Sequence, residues 1–88
     1  MLITFQLNYL YSIEMPINCA VAETVRELRQ NKGISQETLA EAIDSHQVYI
    51  SEIENGKKIP SLLVIYKTAK YFGLSLSEFA AIVETKMN

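Results

Sequence analysis

The sequence predicts an all-α fold of five short helices preceded by one β-strand. Residues 2–12 alternate between apolar and polar side chains with a period of two, which is typical of a strand with one buried face. From residue 18 onward, apolar residues recur at helical spacing, between residues that favour helix starts and glycines that favour helix ends. Residues 34–60 have the pattern of two short helices joined by a tight turn.

The length and composition indicate a single small soluble domain. The chain has 88 residues, of which 49% are hydrophobic and 20% charged. No apolar run approaches the roughly 20 residues of a membrane helix, and polar residues interrupt the N-terminus where a secretory signal would be apolar. We therefore expect a cytoplasmic protein without membrane contact. Cys19 is the only cysteine, so we expect a buried or half-buried thiol, no disulfide, no metal site and no cofactor.

Residues 1–15 are predicted to be a strand extension, separate from a helical domain over residues 16–88. A lone strand has unpaired backbone groups that favour pairing with another chain, so this extension is a candidate dimerisation arm. We expect a two-stranded antiparallel ribbon across a homodimer. An alternative start at Met15 would make residues 1–14 dispensable. The apolar face of the strand comprises Ile3, Phe5, Leu7, Tyr9 and Tyr11.

The first three helices are delimited by capping and turn residues. Asn18 is the expected N-cap of the first helix, and Gly33 is expected to end it. Ser35 is expected to cap the second helix, and Asp44 with Ser45 forms the turn that leads into the third. The residues predicted to face the core are Val21, Val25, Leu28, Leu39, Ala40, Ile43, Ile50 and Ile53.

Two more helices follow the Asn55-Gly56 breaker. Ser61 is expected to cap the fourth helix and Gly73 to end it, with a buried stripe of Leu62, Ile65, Ala69 and Phe72. Residues 75–78 form a capping-box pattern that begins the fifth helix. This last helix is a competing or additional dimer surface through Phe79, Ile82 and Val83.

Four sequence blocks in order carry a resemblance to a known family. They are Ser35-Gln36-Glu37 with Leu39-Ala40, residues 50–57, Pro60-Ser61-Leu62, and Ala69 with residues 72–75. On these blocks, residues 21–80 resemble the helix-turn-helix family of lambda-type repressors, Cro and xenobiotic-response-element (XRE) regulators. The resemblance implies a five-helix lambda repressor-like domain that binds double-stranded DNA. It also implies a structural ion pair between Arg29 and Glu54.

The third helix is the candidate for insertion into the DNA major groove. If its two isoleucines face the core, Gln47, Val48, Ser51 and Glu52 lie on the outward face. In the family that this chain resembles, these positions contact base edges. Gln47 can pair with adenine, Val48 can touch a thymine methyl group, and Glu52 can accept from cytosine N4. Alternatively, this is a solvated face on which Glu52 pairs with a neighbouring cation.

Other polar residues are candidates for contacts with the DNA backbone. The amide of Gln36 can bond a phosphate beside a helix N-terminus, or it is an ordinary first-turn residue. Asn55, Lys57 and Lys58 follow the third helix in a loop that either clamps phosphates or is only solvated. The full predicted DNA-binding set is Ser35, Gln36, His46, Gln47, Val48, Tyr49, Ser51, Glu52, Asn55, Lys57 and Lys58.

The turn between the second and third helices departs from the family pattern. His46 stands where a Ser or Thr cap is usual, and Asp44 stands where Gly is usual. Either Ser45 becomes the cap, or His46 donates to a phosphate. These departures concern the detailed geometry of the turn, so we still expect the turn itself.

The predicted function is sequence-specific transcriptional regulation, by a homodimer that binds an inverted repeat. The net charge of −2 is unusual for such a protein, although residues 26–70 hold seven basic and six acidic side chains. The alternative is a protein-interaction module on the same fold, with weak DNA affinity and a toxin or another regulator as its partner. One histidine, one cysteine and no glycine-rich phosphate loop argue against an enzyme. A restriction–modification controller, a phage repressor and an antitoxin all remain compatible with the sequence.

Overall fold

The computed structural model describes residues 15–88, and this part of the chain is entirely helical. Its five helices are α1 (Ile17–Lys32), α2 (Gln36–Ala42), α3 (Gln47–Glu54), α4 (Leu62–Tyr71) and α5 (Leu76–Met87). None of these helices has the length and apolar character needed to cross a bilayer. The five predicted helices are therefore present, in the predicted order.

The predicted fold class is wrong because it includes a β-strand before the helices. Over residues 15–88 the structure has five helices and no strand, so the fold class of this part of the chain is all-α. The strand and its apolar face lie outside the described residues, and so does the proposed dimerisation arm. A strand is stable only when a partner pairs with its backbone groups. The period-two pattern is a local signal, so it does not show whether such a partner is present.

The core lies where the five helices pack against one another in pairs. α1 packs against α3 and α5, α2 packs against α3, and α4 packs against α5. All but one of the predicted inward residues in the first three helices are buried, the exception being the half-buried Leu28. The buried cluster comprises Ala20, Val21, Val25, Leu39, Ala40, Ile43, Ile50, Ile53, Ala69, Phe79 and Val83.

Serine caps begin three of the helices, as the sequence predicts. The hydroxyl of Ser35 accepts from the backbone N–H of Thr38 at 3.0 Å, and Ser61 caps α4 in the same way. Ser75 and Glu78 form a complete capping box, with bonds of 3.1 and 2.8 Å. These bonds satisfy amide donors that a helix start otherwise leaves unpaired.

Three sequence-based expectations need correction. α1 begins after Pro16, so Asn18 is inside the helix, where its Nδ2 donates to the backbone oxygen of Gly56 at 3.1 Å. Leu62 is 67% exposed, because the first turn of α4 extends beyond the core. Cys19 is exposed rather than buried, since it lines an open depression beside Gly56. Capping preference and helical spacing are local signals, so they did not show which other parts of the chain bond or cover these three residues.

The turn between α2 and α3 requires a left-handed backbone at Asp44. Asp44 has φ of 58°, and it is the only non-glycine residue with positive φ in the described part of the chain. This conformation costs most residues about 1–2 kcal/mol, although Asp tolerates it better than larger side chains do. The family-typical glycine at this position would avoid that cost.

We predict that Asp44→Gly raises the free energy of unfolding by about 1 kcal/mol, because it removes the left-handed strain. Urea denaturation of the two proteins measures the difference. The matched control is Glu41→Gly, on the exposed surface of α2, which is expected to destabilise by about 1 kcal/mol. Loss of stability in both variants would show that Asp44 is not strained.

Candidate nucleic-acid interface

A tight turn places α3 across the end of α2. The backbone N–H of Ser45 donates to the oxygen of Ala40 at 2.7 Å, and that of Asp44 donates to Glu41 at 3.2 Å. α3 begins after His46, whose side chain makes no capping hydrogen bond. Ser45 therefore does not replace the missing Ser or Thr cap. The first turn of α3 keeps accessible backbone amides and an exposed imidazole beside them.

The buried isoleucines of α3 orient its outward face. Gln47 is exposed and Val48 is 64% exposed, whereas Ser51 and Glu52 are partly exposed. Tyr49 is half-buried and packs against the core, so its side chain is less available than those of its neighbours. A valine this exposed at the start of a helix contributes little to the packing of its own chain, and it is available for an apolar contact.

Glu52 lies within 4.0 Å of Lys58, with both side chains partly open to solvent. This is the surface pairing that was the alternative to a cytosine contact. Exposed pairs at such distances contribute about 0–1 kcal/mol. The pair partly neutralises the carboxylate, while leaving it free to exchange partners.

A buried ion pair fixes the C-terminal end of α3 to α1. Arg29 Nε donates to Glu54 Oε2 at 2.7 Å, and Nη2 donates to Oε1 at 3.0 Å. Glu54 is 2% exposed, and Nη1 of Arg29 also donates to the backbone oxygen of Ile34 at 2.9 Å. The hydrogen bond to Glu54 raises the pKa of Arg29 above its ordinary value. The guanidinium therefore stays charged throughout the physiological range.

Arg26 adds a contact that was not predicted from the sequence. Its Nη2 donates to the backbone oxygen of Glu54, and its Nε lies 4.0 Å from Oε1 of the same residue. This contact satisfies a carbonyl group at the end of α3, where helical bonds are absent. The signal was present in the sequence, because Arg26 lies three residues before Arg29 and therefore on the same side of α1.

Two glutamines extend the buried pair to the outward face of α3. Gln36 Nε2 donates to Glu54 Oε1 at 3.0 Å, and Gln47 Nε2 donates to Gln36 Oε1 at 2.7 Å. We call Glu54, Gln36 and Gln47 the amide chain. The sequence predicts a phosphate contact for Gln36, and it does not predict these bonds. Ser35, also a predicted DNA contact, holds the start of α2 through its bonds to Thr38.

The loop after α3 presents the predicted basic residues beside the outward face. Asn55, Lys57 and Lys58 are exposed. The backbone amides of both lysines donate to the oxygen of Glu52, at 2.9 and 3.3 Å, so the loop is held against the helix end. Both lysines are therefore anchored near the end of α3 and supply positive charge to that side of the molecule.

Two of the predicted dimer contacts are core residues. Phe79 is 1% exposed and Val83 is 5% exposed, so these side chains are already buried within one copy of the chain. Their helical spacing identified an apolar side of α5 correctly, but α1 covers it. Ile82 is half-buried. The remaining predicted contacts, at residues 3–11, lie outside the described residues.

A different apolar surface is exposed at the start of α4. Ile59, Leu62, Leu63 and Tyr66 are 69%, 67%, 60% and 46% exposed, and we call them the α4 apolar face. A groove between α1, α4 and α5 adjoins this face at Leu62, and its lining also includes Ile17, Ile65 and Met87, with the buried Phe79 and Val83 at its base. This face is not predicted from the sequence, because helical spacing places Leu62 on the buried stripe of α4.

Comparison with known proteins also identifies a helix-turn-helix in the part of the chain that contains α2 and α3. The Helix-turn-helix family model matches residues 25–79. The HTH-type transcriptional regulator PuuR of Escherichia coli is 40% identical over 60 residues, which are 68% of this chain and 32% of PuuR. This chain thus spans about a third of the length of PuuR. Control protein C.MunI of a Mycoplasma species is 39% identical over 61 residues, covering 68% of this chain and 82% of C.MunI.

Solved structures of regulator and controller proteins have a similar fold. The clp gene regulator ClgR from Corynebacterium glutamicum has a TM-score of 0.77 at 27% identity, covering 84% of this chain and 79% of that chain. The restriction-modification controller protein C.AhdI from Aeromonas hydrophila has a TM-score of 0.66 at 34% identity, covering 70% and 94%. The chain belongs to the XRE-type helix-turn-helix family of DNA-binding transcriptional regulators, which is not a family of enzymes.

Proposed function

We propose that this protein is a sequence-specific regulator that binds an inverted-repeat operator as a homodimer, with α3 in the major groove. The observation that carries the proposal is the outward face of α3, where Gln47 and Val48 are exposed beside two lysines. A glutamine suits the N6 and N7 edge of adenine, and a valine suits a thymine methyl group. The lysines and the exposed His46 supply phosphate contacts that set affinity and register.

The homodimer is supported by the α4 apolar face. A monomeric soluble protein rarely exposes several adjacent large apolar side chains, and such patches usually mark an interface. A second copy covering this face would also bring a second α3 to the DNA. One helix in one groove contacts only a few base pairs, so two heads separated by about 34 Å provide the specificity that an operator requires.

A protein-interaction module is the second candidate, and the same α4 apolar face favours it. A different protein, rather than a second copy, would then cover Leu62 and Leu63. The net charge of −2 is consistent with weak DNA affinity. The salt dependence of duplex binding distinguishes the two functions, because only phosphate contacts release counterions when they form.

Selection of bound sequences from a random pool of duplex DNA tests the leading proposal. We expect an enriched inverted repeat, with an affinity at least about 1,000-fold above that for random duplex. We also expect affinity to fall steeply as salt increases. Binding no tighter than to random DNA would refute the regulator proposal, and enrichment of a single half-site alone would refute the dimer.

The variant Leu63→Glu serves to test the dimer separately from base recognition. Leu63 is 60% exposed on α4, so a charge there leaves the core intact but disfavours burial against a second copy. In sedimentation, the wild-type chain is expected to be a dimer and this variant a monomer that loses the advantage of two half-sites over one. A variant that remained dimeric would exclude this face. Gln30→Glu, which adds the same charge at an exposed position of α1, is the control.

A further inference from the structure

Two side chains of α1 hold the backbone of the loop that follows α3. Nδ2 of Asn18 donates to the backbone oxygen of Gly56 at 3.1 Å, and Nη2 of Arg26 donates to the backbone oxygen of Glu54. Backbone oxygens at the end of a helix lack the partners that a continuing helix would provide. Here the partners come from α1, at sequence separations of 38 and 28 residues.

The end of α3 holds the same loop from the other side. The backbone amides of Lys57 and Lys58 both donate to the oxygen of Glu52, at 2.9 and 3.3 Å. Gly56 lies between the two sets of bonds with φ of 73°, a left-handed conformation that glycine adopts without strain. The backbone of residues 54–58 is therefore fixed at both ends, whereas the two lysine side chains are exposed.

We propose that Asn18 is a positioning residue for DNA-backbone binding, because its bond to Gly56 holds Lys57 and Lys58 beside the outward face of α3. This inference rests on the proposed function, since it assumes that the two lysines contact phosphates. A loop that is already ordered in the free protein loses less conformational entropy when its side chains bind. The bond from Asn18 thus raises affinity without itself contacting DNA.

The lack of charge on Asn18 makes this role testable. Phosphate contacts by lysine release counterions, and a neutral amide that points into its own protein releases none. Any effect of Asn18 on DNA binding must therefore pass through the groups that it holds. Arg26 is less suitable for the test, because its side chain is 41% exposed and its own charge could bind a phosphate.

The first experiment measures the order of the loop without DNA. Asn18→Leu keeps the approximate volume of the side chain, removes its donor and favours the helix of α1, so the fold is expected to persist. Trypsin cleaves after lysine, and mass spectrometry identifies each cut. We expect cleavage after Lys57 and Lys58 to accelerate by about fivefold, which corresponds to the loss of one net hydrogen bond. Asn31→Leu, at an exposed asparagine of α1, is the matched control and should be cleaved as the wild-type chain is.

The second experiment is a double-mutant cycle on DNA affinity, measured by fluorescence anisotropy. We expect Asn18→Leu to weaken binding by about fivefold on the selected operator and on random duplex alike, because phosphate contacts carry no sequence information. The same substitution is then made in a chain that carries Lys57→Gln and Lys58→Gln. We expect it to have no further effect there, because the groups that Asn18 positions are gone.

Three results would overturn the inference. Equal losses with and without the two lysines would show that Asn18 supports the fold in general. Unchanged cleavage after Lys57 and Lys58 would show that its bond does not order the loop. A loss confined to one base position would assign Asn18 to base recognition. A wild-type chain that binds no duplex would instead refute the proposed function, and this inference with it.

Discussion

Glu54→Ala is expected to lower the free energy of unfolding by about 3–5 kcal/mol, the typical cost of removing one partner of a buried ion pair. The variant leaves Arg29, whose side chain is only 14% exposed, without its carboxylate. Gln36 loses its acceptor as well. Small domains have total stabilities of about 5–15 kcal/mol, so this loss removes a large fraction of the total. Urea denaturation followed by circular dichroism measures it.

The control for this prediction is Glu52→Ala, the same substitution two residues earlier on α3. Glu52 is partly exposed and lies 4.0 Å from Lys58, so we expect a change below about 1 kcal/mol. The double variant Arg29→Met with Glu54→Leu should lose less than the sum of the two single variants, because no buried charge remains unpaired. Equal losses at Glu52 and Glu54 would contradict the assignment of Glu54 as a buried structural partner.

Gln47→Ala is expected to reduce affinity for the selected operator by about 1–3 kcal/mol per half-site, with the loss confined to one base position. The physical reason is that a bidentate amide contact with adenine is removed while the phosphate contacts stay. The slope of affinity against salt concentration should therefore be unchanged. Competition binding against duplexes substituted at each position provides the measurement.

Gln30→Ala is the matched control for Gln47→Ala, since Gln30 is an exposed glutamine on α1. It is expected to bind every duplex as the wild-type chain does. A Gln47→Ala variant that loses affinity equally at all base positions would assign Gln47 to the DNA backbone, and one that loses none would exclude it from the interface.

Much of the helical fold could be predicted because its signals are local. Ser35, Ser61 and Ser75 cap their helices as expected, and each cap depends on a backbone N–H only three residues away. The start of α1 was missed because Asn18 suits two roles. Its side chain bonds Gly56, 38 residues further along the chain, rather than a neighbouring amide.

The sequence predicts which residues lie on the outward face of α3, but it does not predict the hydrogen bonds that connect this face to α1 and α2. The spacing of Ile50 and Ile53 was sufficient to place Gln47 and Val48 outward, because helical geometry relates the two faces. No local pattern showed that Gln36 would bond both Glu54 and Gln47, at separations of 18 and 11 residues. The contact of Arg26 with the end of α3 has a separation of 28 residues.

The sequence by itself determined the family, the five helices and the outward residues of α3, because capping and helical periodicity act within a few residues. It did not determine which apolar side chains of α4 and α5 remain exposed. Phe79 is buried and Leu62 is exposed although both lie on apolar stripes, because only one is covered by a neighbouring helix. The hydrogen bonds of the amide chain were likewise decided by tertiary structure, since they depend on a buried carboxylate brought to Gln36 by the packing of α3 against α1 and α2.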